Sequence, residues 1–430
     1  YVPGLLKIFD EVIVNAIDHS VRLIIEEEKG KENVKHVKNI KVNVDKTTGQ
    51  ISIQNDGNGI DVVLHETLQV YVPELVTGTL LTSTNYDHKE EKIIGGKGGY
   101  GLKLTNIFSK EFIVETVDHY RQRIFTQHYR NNMLEKDKPT IRSATKSPYT
   151  KITFTPDYQR FGLYGMSDDI YELFRRRTID AAACTNKNVS VFFNDEKLPV
   201  KDFEKYAGLF IQNDEPLIYE ACNDRWEIAV SASNSGVYEQ ISFVNGINTI
   251  RGGTHVNYIT NAVIKKLSDM IEAKKKKVIK AQTLKDNLFI FVKSTIVKPA
   301  FDSQSKETLT TPVAKFGSKC EISDKFIDKL YKTDIVERAL SLTETQNQKK
   351  LVKTDGKKTS RLIIPKLDDA NLAGTKDSES CTLILTEGDS AKTMAIAGLS
   401  VVGRDHYGVF PLRGKILNAK DAGLKKIAEN

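Results

Sequence analysis

Five glycines in seven positions, Gly95-Gly-Lys-Gly-Gly-Tyr-Gly101, constrain this chain more than any other stretch. With no side chains to pack and the largest backbone entropy to lose, such a run belongs inside neither a helix nor a strand, and regular elements on either side must carry it. Its amides are free to turn inward. The following Leu102-Lys103 and Leu-Thr-Asn-Ile-Phe108 read as a helix, and successive N–H groups leading into a helix N-terminus make an anion cradle, to which Lys97 and Lys103 add positive charge. The run is neither a Walker P-loop, since it lacks G-K-[ST], nor part of a βαβ dinucleotide unit. On its own a glycine-rich loop is a weak signal.

The elements around it are mixed α/β. Leu5 to Ile25 has the period of a helix, and Ile40-Lys-Val-Asn-Val44 and Ile51-Ser-Ile-Gln54 alternate about a Thr-Thr-Gly turn as an antiparallel hairpin. Further strands are expected at Phe112–Thr116 and Lys151–Phe154. A second strand-rich segment starts near Pro216, with Trp226–Ser231, Ile241–Val244 and Leu288–Val292 as strands. It holds a helix at about His255–Glu272 with a lysine run beyond it, and a helical stretch at Asp324–Leu342. A polar, lysine-rich linker is expected over roughly 343–360, and from Cys381 a buried strand, Thr382–Thr386, turns at Gly388 into a helix. At 430 residues with 40% hydrophobic content, the chain is long enough for two or three cores. The four cysteines form no C-x-x-C pair, which argues against zinc and against a disulfide framework and fits a reducing compartment. A net charge of +7 weakly favours an acidic partner such as nucleic acid. No apolar run reaches membrane-spanning length. The Tyr1-Val2-Pro3 start, with no initiator Met, suggests a piece of a longer protein.

On the opening helix, Glu11, Asn15, Asp18 and Arg22 fall at i, i+4, i+7 and i+11 and share one face. A carboxylate one turn before a short amide suits a metal ion and a positioned water; alone, the pattern reads better as a solvated face. Asn55-Asp-Gly-Asn-Gly-Ile60 follows a strand directly. Its Asp56 could accept a hydrogen bond from the exocyclic amine of adenine over a floor of glycines. An Asn-Gly or Asp-Gly turn is the simpler alternative.

In this order the three segments resemble the GHKL ATPase family, which includes type IIA topoisomerases, Hsp90-like chaperones, MutL-like repair proteins and histidine kinases. The resemblance implies a GHKL (Bergerat) sandwich that binds ATP and Mg²⁺. Glu11 would be the general base, Asn15 would hold the metal, Asp56 would bind adenine and Gly59 would shape its floor. Gly96, Gly98, Gly99, Tyr100, Gly101 and Lys103 would cradle the phosphates. Where the family often has Asn, this chain has His19. Thr82-Ser-Thr-Asn85 resembles the topoisomerase stretch that touches ribose and phosphate, through Ser83, Thr84 and Asn85.

Phe243-Val-Asn-Gly-Ile-Asn-Thr249 and Gly252-Gly-Thr-His-Val-Asn-Tyr-Ile259 resemble the ribosomal-S5-like transducer domain of type IIA topoisomerases. Gln304-Ser-Lys306 matches that family's Q-T-K loop with Ser for Thr. Lys306 would reach the terminal phosphate and so distinguish ATP from ADP. Ala273-Lys-Lys-Lys-Lys277 resembles a loop that eukaryotic-type enzymes use to feel DNA, with Lys274, Lys275, Lys276 and Lys277 on phosphates; a solvated tail is the plain alternative. Thr386-Glu-Gly-Asp-Ser-Ala391 resembles the first motif of a TOPRIM α/β domain, where Glu387 would help hold Mg²⁺. Pro411-Leu-Arg-Gly-Lys-Ile-Leu-Asn418 resembles the segment beside the scissile strand, with Arg413 and Lys415 on DNA.

The implied organisation is an ATPase domain over 1–213 lacking its N-terminal arm, a transducer over 214–365, a linker over 366–380 and a truncated TOPRIM domain over 381–430. The implied function is that of a eukaryotic-type or large-virus type IIA topoisomerase fragment. It would hydrolyse ATP, form a homodimer on ATP and act on double-stranded DNA, in a nucleus or a viral compartment. It would not cut DNA, since no D-x-D pair follows Glu387. A gyrase-B-like subunit is the rival within the class. A GHKL chaperone or mismatch-repair clamp is the rival outside it, and neither of those needs Glu387 or Arg413-Gly-Lys415.

Overall fold

The computed structural model describes residues 2–79, 100–212, 215–354, 364 and 366–412, with the backbone alone for 346–354. The chain divides into two compact units, Tyr1–Leu340 and Ser341–Asn430. In the first, α1 (Pro3–Glu28) is followed by β1 (Asn39–Val44), β2 (Ile51–Asp56), α2 (Val72–Gly78), α3 (Gly101–Ile107), β3 (Ser109–Asp118), β4 (Arg123–Arg130), β5 (Glu135–Lys136), β6 (Thr140–Ser143) and β7 (Tyr149–Pro156). Then come α4 (Asp168–Cys184), β8 (Ser190–Phe193), β9 (Glu196–Lys197) and α5 (Phe203–Gly208). Among the described residues these strands form a nine-stranded sheet in the order β5-β4-β3-β7-β2-β1-β8-β9, with β6 on β4.

The expected hairpin is present. Asp45 closes its turn by accepting from the Thr47 amide at 2.8 Å and the Thr48 hydroxyl at 2.8 Å. The register pairs Ile40 with Asn55, Val42 with Ile53 and Val44 with Ile51. That puts these six residues on one face, which is buried, and Lys41, Asn43, Ser52, Gln54 and Asp56 on the other. Helix α1 covers the buried face. Pro3 occupies its first turn, where no N–H is missed, and Phe9, Ile13, Ala16 and Ile17 join Ile40, Val42, Ile51 and Ile53 in one core.

The second half of this unit holds β10 (Ile218–Asn223), β11 (Trp226–Ala232), β12 (Glu239–Val244), β13 (Ile247–Asn248), α6 (Thr254–Lys275), α7 (Ala281–Asp286), β14 (Leu288–Ser294) and α8 (Asp324–Tyr331). Its five-stranded sheet runs β10-β11-β14-β12-β13, with β12 parallel to β14. The two sheets share apolar surface: Phe203 and Tyr206 of α5 set their rings against Phe243 of β12, with centroids 6.3 and 5.6 Å apart.

Three local expectations change. The lysine run does not wholly follow its helix, because α6 continues through Lys275 and its last turn contains Lys274 and Lys275. The single stretch Asp324–Leu342 is two helices, since α9 (Asp334–Thr354) starts anew after Lys332 and Thr333. Helix α9 also runs to Thr354, through the segment read as an irregular linker; its Glu, Gln and Lys residues are good helix formers, so polarity there is compatible with a helix.

In the second unit, β15 (Thr382–Glu387) pairs in parallel with β16 (Tyr407–Leu412), joined by α10 (Asp389–Val402), a right-handed arrangement being the rule for such units. The strand–turn–helix is where it was expected, with Gly388 at φ 90° in the turn. The strand is not buried as expected: Leu383 and Leu385 are about half exposed, because β15 and β16 alone make up this sheet among the described residues. No helix among the described residues is long and apolar enough to cross a membrane.

Candidate active site

Glu11 lies in the middle of α1 with 4% of its surface exposed. Two lysines hold the same carboxylate oxygen. Lys7, one turn earlier, places Nζ 2.8 Å from Oε1, and Lys306 approaches from the second half of the unit at 3.1 Å. Glu11 and Lys306 are buried and Lys7 is largely so, and Lys7 also reaches Asp10 Oδ2 at 3.4 Å. Lys306 takes a left-handed backbone, φ 59°, that a lysine adopts only under constraint. Its loop is fixed by Lys306 N donating to Ser303 O at 3.1 Å, and Arg251 N donating to Glu307 O at 3.0 Å. The other side of Glu11 is closed by the first residue of α3: a Cβ at Gly101 would lie 2.0 Å from Glu11 Oε2, so only glycine lets α3 approach this carboxylate.

Burial pulls the Lys7 ammonium down, but Asp10 and Glu11 more than offset it and hold it above its ordinary value. Lys103, in α3, is 2% exposed and burial pushes it down to about 8. Asp10 is buried, which would raise its carboxyl, yet Arg177 and Lys7 bring it below the usual range. Arg177 Nε donates to Asp10 Oδ1 at 2.5 Å, and its Nη2 donates to the carbonyl of Gly246, in the β12–β13 turn, at 2.7 Å. The helix that carries Glu11 is thus tied to the second half of the unit twice, through Lys306 and through Arg177. Sequence reasoning missed Lys7 and Arg177. Lys7 had a signal, its i−4 spacing from Glu11; Arg177 had none, because its partners are remote in the chain.

The other expected residues divide into three groups. Asn15, one turn after Glu11, is half-buried. Tyr100 is the N-cap of α3, and Gly101 opens that helix against Glu11. Gly59, at φ 72°, packs on the next strand, where a Cβ would lie 2.0 Å from the Val117 carbonyl oxygen. Asp56 is not brought to this site. It points to the opposite face of β2, where Oδ1 accepts from the Lys38 and Asn39 amides at 2.7 and 2.9 Å and Oδ2 from Asn39 Nδ2 at 2.8 Å. Strand parity gives the inward position to Asn55, which is buried on the face shared with Ile51 and Ile53. His19 is buried and neutral, held well below its ordinary pKa by burial and by Arg22, whose Nη2 lies 2.8 Å from its Nδ1. Ser83, Thr84, Asn85, Gly96, Gly98 and Gly99 lie outside the described residues.

Away from Glu11, Gln304 is exposed. Lys274 pairs with Asp328 of α8 at 3.1 Å and lies over the Tyr331 ring, while Lys276 caps α6 at φ 55°. Glu387 ends β15 and is exposed, and Asp389 pairs with Lys366 at 2.7 Å. Arg413 and Lys415 lie outside the described residues. No group of three His, Cys, Asp or Glu side chains able to hold a metal occurs among the described residues.

The family model for DNA gyrase B matches residues 186–358. The chain is similar over its whole length to the DNA topoisomerase 2 of Pisum sativum and to that of Acanthamoeba polyphaga mimivirus, at 47% identity to each; it spans 29% and 34% of their lengths. Among solved structures, the ATPase region of Saccharomyces cerevisiae topoisomerase II is 42% identical at a TM-score of 0.73, over 80% of this chain and 87% of that one. The ATPase and transducer domains of DNA topoisomerase II from Balamuthia mandrillaris match at 42% identity and 0.73, over 81% and 87%. The mixed α/β fold with GHKL and transducer parts, expected from the motifs, agrees with both.

Proposed function

This chain belongs to the DNA topoisomerase 2 family, and on that premise we propose that it binds and hydrolyses ATP as the nucleotide-driven part of a type II DNA topoisomerase. The observation that carries the proposal is the meeting of Glu11 with Lys306, 295 residues apart in sequence, at 3.1 Å. A buried carboxylate bracketed by two ammonium groups, with Gly101 against it and the buried Lys103 two residues further along α3, suits a polyphosphate bound beside a general base.

In this reading Glu11 takes the proton from the attacking water. Lys7 orients Glu11 from within the helix, and Lys306 passes from Glu11 to the terminal phosphate when ATP enters. ADP lacks that group, so after hydrolysis Lys306 loses its anchor and the transducer is released. Mg²⁺, which binds through few protein ligands and keeps phosphate and water oxygens, would be held by Asn15 and would neutralise phosphate charge. Base recognition falls to Asn55, whose amide both donates and accepts. Ser83, Thr84, Asn85, Gly96, Gly98, Gly99 and Tyr100 complete the nucleotide contacts, and Gln304 joins Lys306.

The domain division follows the same reading: ATPase over 1–213, transducer over 214–365, linker over 366–380 and the start of a TOPRIM domain over 381–430. Glu387, Arg413 and Lys415 belong to DNA cleavage chemistry completed elsewhere in the parent enzyme. ATP closes a homodimer gate on double-stranded DNA, and Lys274 to Lys277 touch DNA phosphates. The nucleus, or a viral compartment, is the place of action.

Glu11→Gln tests the core of this. It should keep nucleotide affinity within about threefold while hydrolysis drops about 10²–10⁴-fold. Turnover near the wild-type rate would remove Glu11 as the base.

A further inference from the structure

We propose that Cys222 and Cys320 form a modification site, a dithiol that hydroperoxides convert to a disulfide joining β10 to the segment that leads into α8. The two sulfurs are 2.9 Å apart although 98 residues separate them in sequence, and both thiols are free. A disulfide needs about 2.05 Å, so the bond forms after an approach of under about 1 Å. Among the described cysteines no other pair of sulfurs meets.

The backbone on both sides is already held for this encounter. Cys222 lies where the β10–β11 register shifts between Ala221 and Asn223, which leaves it outside the regular ladder. On the other side, the Tyr258 hydroxyl donates to Cys320 O at 3.2 Å and Lys266 Nζ donates to Ile322 O at 2.8 Å. Glu220, two residues before Cys222, accepts from the Ser323 amide at 2.9 Å and from the Ser323 hydroxyl. These contacts fix the 320–323 segment on β10 before any covalent bond exists, so oxidation requires no refolding.

The two thiols are unequal. Cys222 is half-buried and reachable by a small oxidant, whereas Cys320 is 6% exposed. Contact with Cys222, together with burial, raises the Cys320 thiol and keeps it protonated. Cys222 therefore reacts first. Its thiolate attacks one oxygen of a hydroperoxide, the O–O bond breaks, and an alcohol or water leaves as the sulfur becomes a sulfenic acid. Cys320 then gives up its proton, and its sulfur displaces the sulfenic hydroxyl as water. In balance, two thiols and one hydroperoxide yield one disulfide, one alcohol or water from the peroxide, and one water.

The bond would brace the element beneath the lysine run. Helix α8 carries Asp328 and Tyr331, which support Lys274, and Ser323 caps its first turn by accepting from Phe326 N at 3.1 Å.

The test treats the 430-residue chain with hydrogen peroxide, blocks remaining thiols by alkylation, and maps peptides by mass spectrometry without reduction. The expected result is a linked Cys222–Cys320 peptide lighter by two hydrogens, a melting temperature raised by about 5–10 °C, and reversal of both by dithiothreitol. A Cys184→Ser/Cys381→Ser double variant should give the same link, and Cys222→Ser should not. Alkylated Cys222 and Cys320 after peroxide treatment, or Cys222 sulfinic acid with no linked peptide, would overturn the proposal.

Discussion

Lys103 shows how a single buried amine can set a working pH. Its surroundings push it down to about 8, so its positive charge is present below that value and lost above it. If it neutralises phosphate, KM for ATP should rise several-fold as pH climbs from about 7 to about 9, with kcat changing less. Lys103→Arg, whose guanidinium stays charged over that range, should flatten the rise, and steady-state kinetics at several pH values measure both. Asn55 and Asp56 give a second contrast: Asn55→Ala should weaken nucleotide binding about tenfold or more, whereas Asp56→Asn should chiefly loosen the turn at Lys38 and Asn39, as seen by calorimetric titration and thermal melting. The sequence already contained the means to choose between them. Ile51 and Ile53 mark the inward face of β2, so residue 55 continues it and residue 56 cannot. Glu11 was legible because helical spacing brings its polar neighbours together; its pairing with Lys306 was not, since no local rule joins residues 295 apart.

At the scale of elements, α4 couples the two sheets through charge. Arg177 and Asp10 are both about nine-tenths buried or more, so leaving one without the other is costly. Arg177→Met should destabilise the chain by about 3–5 kcal/mol in denaturant unfolding, and Asp10→Asn/Arg177→Met together should recover part of that loss. Three residues after Arg177 in α4, Asp180 accepts from the Tyr206 hydroxyl at 2.7 Å and from Asn248 Nδ2 at 2.9 Å, a second polar tie to β13. The start of α6 has its own pH response. His255 is wholly buried, and burial lowers it to about 3. The unfolded chain therefore binds that proton more tightly, and stability present above about 6.5 should be lost progressively as pH falls toward 3. His255→Gln should make melting temperature less sensitive to pH over that window. Strands and the longer amphipathic helices were readable from periodicity, as β1, β2 and α1 show. The extent of α9 was not, because its lysines and glutamines carry no apolar stripe that separates an exposed helix from a linker.

For the molecule as a whole, the proposed contact of the lysines at the end of α6 with a polyanion can be measured. Replacing Lys274, Lys275, Lys276 and Lys277 with Ala should reduce stimulation of ATP hydrolysis by duplex DNA and flatten its dependence on salt, while leaving hydrolysis without DNA nearly unchanged. Full stimulation at every ionic strength would return the run to an ordinary solvated helix end. The two strand-rich segments of the first unit were visible in the sequence, but the shared packing of Phe203, Tyr206 and Phe243 was not, since aromatic residues on a short helix do not announce which sheet they will meet. The distance along the chain between Glu11 and Lys306 also bears on how the protein is made. A ribosome adding about 5–20 residues per second needs roughly 15–60 s between the first and the second. For that interval the newborn carboxylate has Lys7 as its only cation of the two, and a half-built chain emerging from the exit tunnel lacks the lysine proposed to register the nucleotide.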